Sequence, residues 1–133
     1  MKSDLQFMIV DDDKSNNFLC ECAIRIAFPG STVKLFENPE DALAAIKNKY
    51  ESADSKRVTL FLDINMPGLT GWEFLENFAK FPSQLKSQFD IYMLSSSIAK
   101  SDIDRTNESI GVSGFISKPL IVRELRLLLE RGS

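Results

Sequence analysis

The sequence predicts an α/β fold in which five β-α units wind a doubly wound, five-stranded parallel sheet with helices on both faces. Three observations predict it. Five short apolar runs recur along the chain, at Phe7–Val10, Thr32–Phe36, Val58–Leu62, Ile91–Leu94 and Gly114–Ile116. Several are apolar without alternation, as strands are when helices cover both their faces. Segments of helical spacing separate the runs, and a strand that returns parallel through a helix crosses over right-handed, which winds an open sheet.

Taken in order, the first strand runs into Asp11-Asp12-Asp13, and the first helix comes next with Leu19, Cys22, Ala23 and Ile26 as its predicted buried stripe. Pro29-Gly30 stops it. Cys20 and Cys22 lie two apart in that helix and point to different sides, so packing rather than a disulfide is expected of them. The second helix opens with Asn38 as N-cap and Pro39 at the first helical position, then repeats Leu43, Ile46 and Tyr50 on one face with its lysines outward. The third enters from Gly71, carries Trp72, Leu75, Phe78 and Ala79, and closes near Phe81-Pro82. A fourth, around Ala99–Ser109, is weaker: Ile103, Thr106 and Ile110 form its stripe, and Ser101, Asp102, Asp104 and Arg105 are solvated. The last carries Ile121, Leu125, Leu128 and Leu129. The residues after Lys118-Pro119 suffice for one helix, so one domain over 1–133 without an output segment is expected.

Composition narrows the function classes. A hydrophobic share of 44% with 26% charged residues is that of a globular chain with a proper core. Sixteen basic against nineteen acidic residues give a net charge of −3, which provides no electrostatic footprint for nucleic acid. No signal-peptide stretch opens the chain and no apolar run approaches a membrane span, so a cytoplasmic location without direct membrane or nucleic-acid contact is expected. Histidine is absent, which leaves any chemistry to carboxylates, hydroxyls and lysines.

Those side chains gather where an open α/β sheet binds its ligands, at the carboxyl ends of strands. Asp11-Asp12-Asp13 ends the first strand, Asp63 the third, Ser95 the fourth and Lys118 the fifth. Carboxylates brought together repel unless a cation sits among them, and hard oxygen ligands suit Mg2+ rather than zinc. With such a cation and a lysine neutralising phosphoryl oxygens, a carboxylate can act as nucleophile and form an acyl phosphate. A hydroxyl at Ser95 then donates to the phosphoryl group. Each residue also has a plainer reading: Asp11–Asp13 as an acidic helix start, Asp13 as a solvated bystander, Ser95 as one of three serines, Lys118 as a loop lysine, Trp72 as core or rim. The combination at four strand ends outweighs them.

Ile9-Val10-Asp11-Asp12, then Phe61-Leu62-Asp63-Ile64-Asn65-Met66-Pro67-Gly68, then Met93-Leu94-Ser95-Ser96, then Lys118-Pro119, resembles the response-regulator receiver domain over nearly the whole chain. The resemblance implies a flavodoxin-like fold with strand order 2-1-3-4-5. It implies Asp63 as phosphoacceptor and a metal site of Asp11, Asp12, Asp63 and Asn65, in which Asp11 and Asp12 are the acidic pair, Asp12 and Asp63 the side-chain Mg2+ ligands and Asn65 contributes its carbonyl. By the same resemblance Ser95 is expected to sense the phosphoryl group, Lys118 to pair with it, the bond before Pro119 to be cis, and Phe115 to take the aromatic switch position without a hydroxyl. Asn65 and Ser97 lie where the family tunes dephosphorylation. A sensor histidine kinase or histidine phosphotransfer protein is the implied donor, a downstream protein the implied target, with a monomer or a phosphorylation-dependent dimer as the assembly. A phosphatase of the haloacid-dehalogenase type fits worse, because its second acid stands two residues after the nucleophile, where Asn65 stands here. The intact acidic pair argues against a receiver that binds partners without phosphorylation.

Overall fold

A computed structural model describes residues 5–49, 57–96, 104 and 112–131. Its strands are β1 (Gln6–Val10), β2 (Thr32–Phe36), β3 (Val58–Asp63), β4 (Phe89–Ser95) and β5 (Val112–Ser117). Its described helices are α1 (Lys14–Ala27), α2 (Pro39–Lys49), α3 (Gly71–Phe78), the short α4 (Ser83–Lys86) and α5 (Val122–Arg131). The five strands form one parallel sheet in the order β2-β1-β3-β4-β5. The helix expected around Ala99–Ser109, with Ile103, Thr106 and Ile110, lies outside the described residues apart from Asp104, as do Tyr50 and Ser97.

Side chains alternate across a strand, so each central strand feeds two cores. Met8, Val10, Leu60, Leu62, Ile91 and Met93 pack on one face with Ala42 and Ile46 of α2 and Trp72, Phe74 and Phe78 of α3. Phe7, Ile9, Phe61, Leu94 and Ile116 pack on the other with Cys20, Ala23, Ile24 and Ala27 of α1 and Leu125 of α5. All six β3 residues are buried, which is why that run reads as unbroken hydrophobicity. Each fully buried Phe, Ile or Leu contributes about 1.5–3 kcal/mol of transfer free energy, so the central strands anchor the frame on which the site is built.

Three helices depart in part from the expected faces. In α1 the buried residues are Asn16, Asn17, Cys20, Ala23, Ile24 and Ala27, whereas Leu19 is 52% and Ile26 63% exposed. The helix carries apolar residues on two neighbouring faces, and the expected stripe of Leu19, Cys22, Ala23 and Ile26 is centred on the outer one; of that set only Ala23 is buried. In α3, Trp72 and Phe78 are buried as expected, together with Phe74, while Ala79 lies just past the helix and is exposed. Ile121 precedes α5 and is 44% exposed; its carbonyl accepts the Leu125 N–H, so it starts the helix rather than packing beneath it. Asn38 does cap α2, accepting the Glu40 N–H at 2.8 Å.

Candidate functional site

Register brings the site together. Val10 pairs with Leu62, so the residues after them, Asp11 and Asp63, stand side by side at the carboxyl ends of adjacent strands. Asp63 pairs with Leu94, Ser95 comes next, and Ser95 pairs with Ser117 just before Lys118. Two backbone bonds extend this ladder past the strands, Ile64 N–H to the Leu94 carbonyl and Lys118 N–H to the Ser95 carbonyl at 2.9 Å. The Lys118–Pro119 peptide is cis, as expected.

The floor of the site is buried charge. Asp11 and Ser95 are fully buried and Asp63 nearly so, whereas Asp12 and Asn65 are exposed at its mouth. The Lys118 ammonium lies 2.6 Å from Asp11 Oδ2 and 3.1 Å from Asp63 Oδ1, bridging the two carboxylates. One cation between two anions leaves a net negative charge. Burial first, and then the charge of Asp11, push the Asp63 carboxyl up to about 6 despite the lysine. Burial alone would lower the Lys118 ammonium, but Asp11 and then Asp63 raise it above its ordinary value, so it stays a cation.

Oxygens from Asp11, Asp12 and Asp63 lie within 4.8 Å of one another. A divalent cation with oxygen ligands fits that donor set, and it would offset the burial and the repulsion by Asp11 that raise Asp63. The chain around the site is shaped for close approach. Gly68 takes a φ of +85° in the loop after Pro67, a left-handed conformation that suits glycine. At Gly71 a Cβ would lie 2.6 Å from the Asp63 carbonyl oxygen and 2.9 Å from Ile64 Cα, so α3 can start against the end of β3 only with glycine there. Thr70 closes a capping box with Glu73 and fixes that start.

The expected residues thus occupy one place: Asp11, Asp12, Asp63 and Lys118 in mutual reach, Ser95 and the Asn65 backbone at the adjoining strand ends. Phe115 is half-buried on β5 and packs against the core on the α2–α3 face. Asp13 stays out of the carboxylate cluster and caps α1, accepting the Ser15 and Asn16 N–H groups. Two residues escaped the sequence reading, Asn16 and Asn17. Both are buried; Asn16 Nδ2 donates to Asp11 Oδ2 at 2.7 Å and Asn17 Nδ2 to the Asp11 carbonyl at 2.9 Å. Their signal was a pair of amides in the first helical turn, where an apolar stripe would begin.

A parallel sheet in the order 2-1-3-4-5 thus carries a carboxylate cluster and a lysine at the strand ends where an open α/β sheet binds its ligands. Residues 7–130 match the model of the response regulator receiver domain, and the chain belongs to that family. No curated protein matches the chain. Among solved structures, a response regulator receiver protein from Dyadobacter fermentans is similar at 27% identity, 96% coverage of both chains and a TM-score of 0.86. A two-component response regulator from Cytophaga hutchinsonii is similar at 27% identity, with 95% of this chain and 94% of that one covered and a TM-score of 0.85. The chemotaxis protein CheY4 of Vibrio cholerae is similar at 26% identity, 96% and 97% coverage and a TM-score of 0.72. The chain is therefore a receiver domain of two-component signalling with a phosphoacceptor role. Among the described residues no helix is long and apolar enough to cross a membrane.

Proposed function

We propose that Asp63 is the phosphoacceptor, that acceptance depends on Mg2+, and that the chain acts as a cytoplasmic switch by protein contact rather than as a dedicated enzyme. The observation that carries this is the Lys118 ammonium shared between Asp11 and Asp63 beside the exposed Asp12. Asp11, Asp12, Asp63 and the Asn65 carbonyl would hold the cation, and the ion when bound supplies neutralisation of phosphoryl oxygens. The chain does the rest. Asp63 offers a carboxylate oxygen to phosphorus; the bond from phosphorus to the donor's imidazole nitrogen breaks as the oxygen–phosphorus bond forms, and the nitrogen keeps the electron pair. Lys118 moves its charge towards the new phosphoryl oxygens, and the Ser95 hydroxyl donates to them from the next strand end.

A phosphoryl group adds about −1.5 to −2 charges at the end of β3, next to β4 and β5. Phe115, half-buried on β5 and paired with Met93 two residues before Ser95, is the proposed residue through which a shift of Ser95 would be passed on to β5. A histidine kinase or histidine phosphotransfer protein is the proposed donor and a protein the proposed target, the chain acting as monomer or as a dimer formed on phosphorylation.

Intact mass after incubation with Mg2+ and a small phosphodonor tests the reading. One phosphoryl adduct per chain is expected, absent after chelation and absent in Asp63→Asn. Equal acceptance by Asp63→Asn would remove the assignment of Asp63.

A further inference from the structure

We propose that Asn16 is a positioning residue which holds the Asp11 carboxylate in place both in the resting site and when Lys118 leaves it, so that the magnesium site stays assembled before and through phosphoryl transfer; this rests on the reading of Asp63 above. Asp11 Oδ1 accepts the Asp13 N–H at 2.9 Å, and Oδ2 accepts both Asn16 Nδ2 at 2.7 Å and Lys118 Nζ at 2.6 Å. The same ammonium also reaches Asp63, 3.1 Å away. It cannot serve the oxygens of a group built on Asp63 and keep both contacts. When it moves, Asp11 loses its charged partner inside a fully buried position. A buried carboxylate that loses a hydrogen-bond partner turns towards another donor.

Asn16 prevents this because its amide donates without carrying charge. A second cation would compete with the metal for the carboxylates, and an apolar side chain would leave Oδ2 with no donor. The amide is itself fixed: Asn16 is buried in the first turn of α1, its Nδ2 lies 3.6 Å from Cys20 Sγ one turn on, and its N–H donates to the Asp13 cap. Burying an amide on the core side of a helix costs free energy unless it is hydrogen-bonded, and the bond to Asp11 is what offsets that cost. Asn17 provides the internal control. It is equally buried in the same turn, but its amide reaches the Asp11 backbone carbonyl, not the carboxylate.

The test is Mg2+ affinity by calorimetry without a phosphodonor, together with the Mg2+ dependence of phosphoryl acceptance, in Asn16→Leu, Asn16→Ala and Asn17→Ala. The two Asn16 substitutions are expected to weaken Mg2+ about 10-fold, the size of effect seen when a partner of a metal ligand is removed. Asn17→Ala is expected to lower the melting temperature without moving the Mg2+ constant, and Asn16→Gln, which keeps the amide, to recover part of the affinity. If Asn16→Leu fails to fold, the comparison of Asn16→Ala with Asn17→Ala decides the matter. An Mg2+ constant in Asn16→Ala equal to that of the unsubstituted chain, or shifted equally in Asn17→Ala, overturns the proposal. Loss of a magnesium-dependent adduct in the unsubstituted chain would instead overturn the phosphoacceptor reading.

Discussion

Asp63 sits in a position that disfavours its own charge, and this has a consequence for stability. Its carboxyl is pushed up to about 6 in the folded chain, by burial and then by Asp11, against about 3.9 in an unfolded chain. Between those values the folded state binds more protons than the unfolded one, so stability falls as pH rises from about 4 to about 6 and stays reduced above. Asp63→Asn removes the penalty while keeping the shape. In chelator at pH 7.5 it is expected to be more stable than the unsubstituted chain by about 1–3 kcal/mol, and near pH 4 the two should melt together. Chemical denaturation at both pH values checks this, and a variant less stable at pH 7.5 would mean that the Lys118 contact outweighs desolvation. At this scale the sequence was legible where a residue type is rare in its place: an aspartate after four buried apolar residues needs a partner, and Asp63 has one. It was not legible for Asn16 and Asn17, since nothing in a linear reading says that a helix turns two amides inward to serve the carboxylate and the backbone carbonyl of an aspartate five and six residues earlier.

At the scale of elements, α1 shows how a periodicity can be right in kind and wrong in phase. Cys20, Ala23, Ile24 and Ala27 make a set at helical spacing, and so do Leu19, Cys22 and Ile26. A count of apolar residues cannot rank the two. The choice is made by the anchors at the helix start: Asp13 caps the first turn, and the bonds from Asn16 and Asn17 to Asp11 fix the rotation. That rotation leaves Ile26 63% exposed and Ile24 fully buried. Ile24→Ala should therefore cost about 2–5 kcal/mol, while Ile26→Ala stays within about 0.5 kcal/mol. Equal losses at the two sites would mean that the outer face is covered. The short α4 escaped a periodic reading for a different reason, since four residues after Pro82 are too few to show a stripe. The strands were read more closely because burial on both faces writes their extent directly into composition, although β4 and β5 begin at Phe89 and Val112, earlier than the apolar runs imply.

For the whole molecule, the alternation of strand and helix dictates a doubly wound sheet, but which strands are neighbours came from the family resemblance, because periodicity carries no information on lateral order. That order matters to the energetics of the site. The oxygens of Asp11, Asp12 and Asp63 come from two strand ends that are 52 residues apart in the chain for Asp11 and Asp63, and they share a volume only when β1 and β3 are paired. A cation held by this set binds the folded chain and has no counterpart site in the unfolded one, so its binding free energy adds to folding. At tenfold excess over its dissociation constant, Mg2+ should stabilise the chain by about 1.4 kcal/mol, several degrees in melting temperature for a domain of this size. The increment should grow by about the same amount with each further tenfold in concentration. In Asp63→Asn the penalty that the ion relieves is already gone and one ligand charge is missing, so the variant should start higher in chelator and respond weakly. Crossing melting curves, with the variant the more stable without Mg2+ and the unsubstituted chain the more stable with it, are the signature of a charge cluster kept strained for a cation. Parallel curves would mean that the carboxylates are neutralised within the chain, by Lys118 alone.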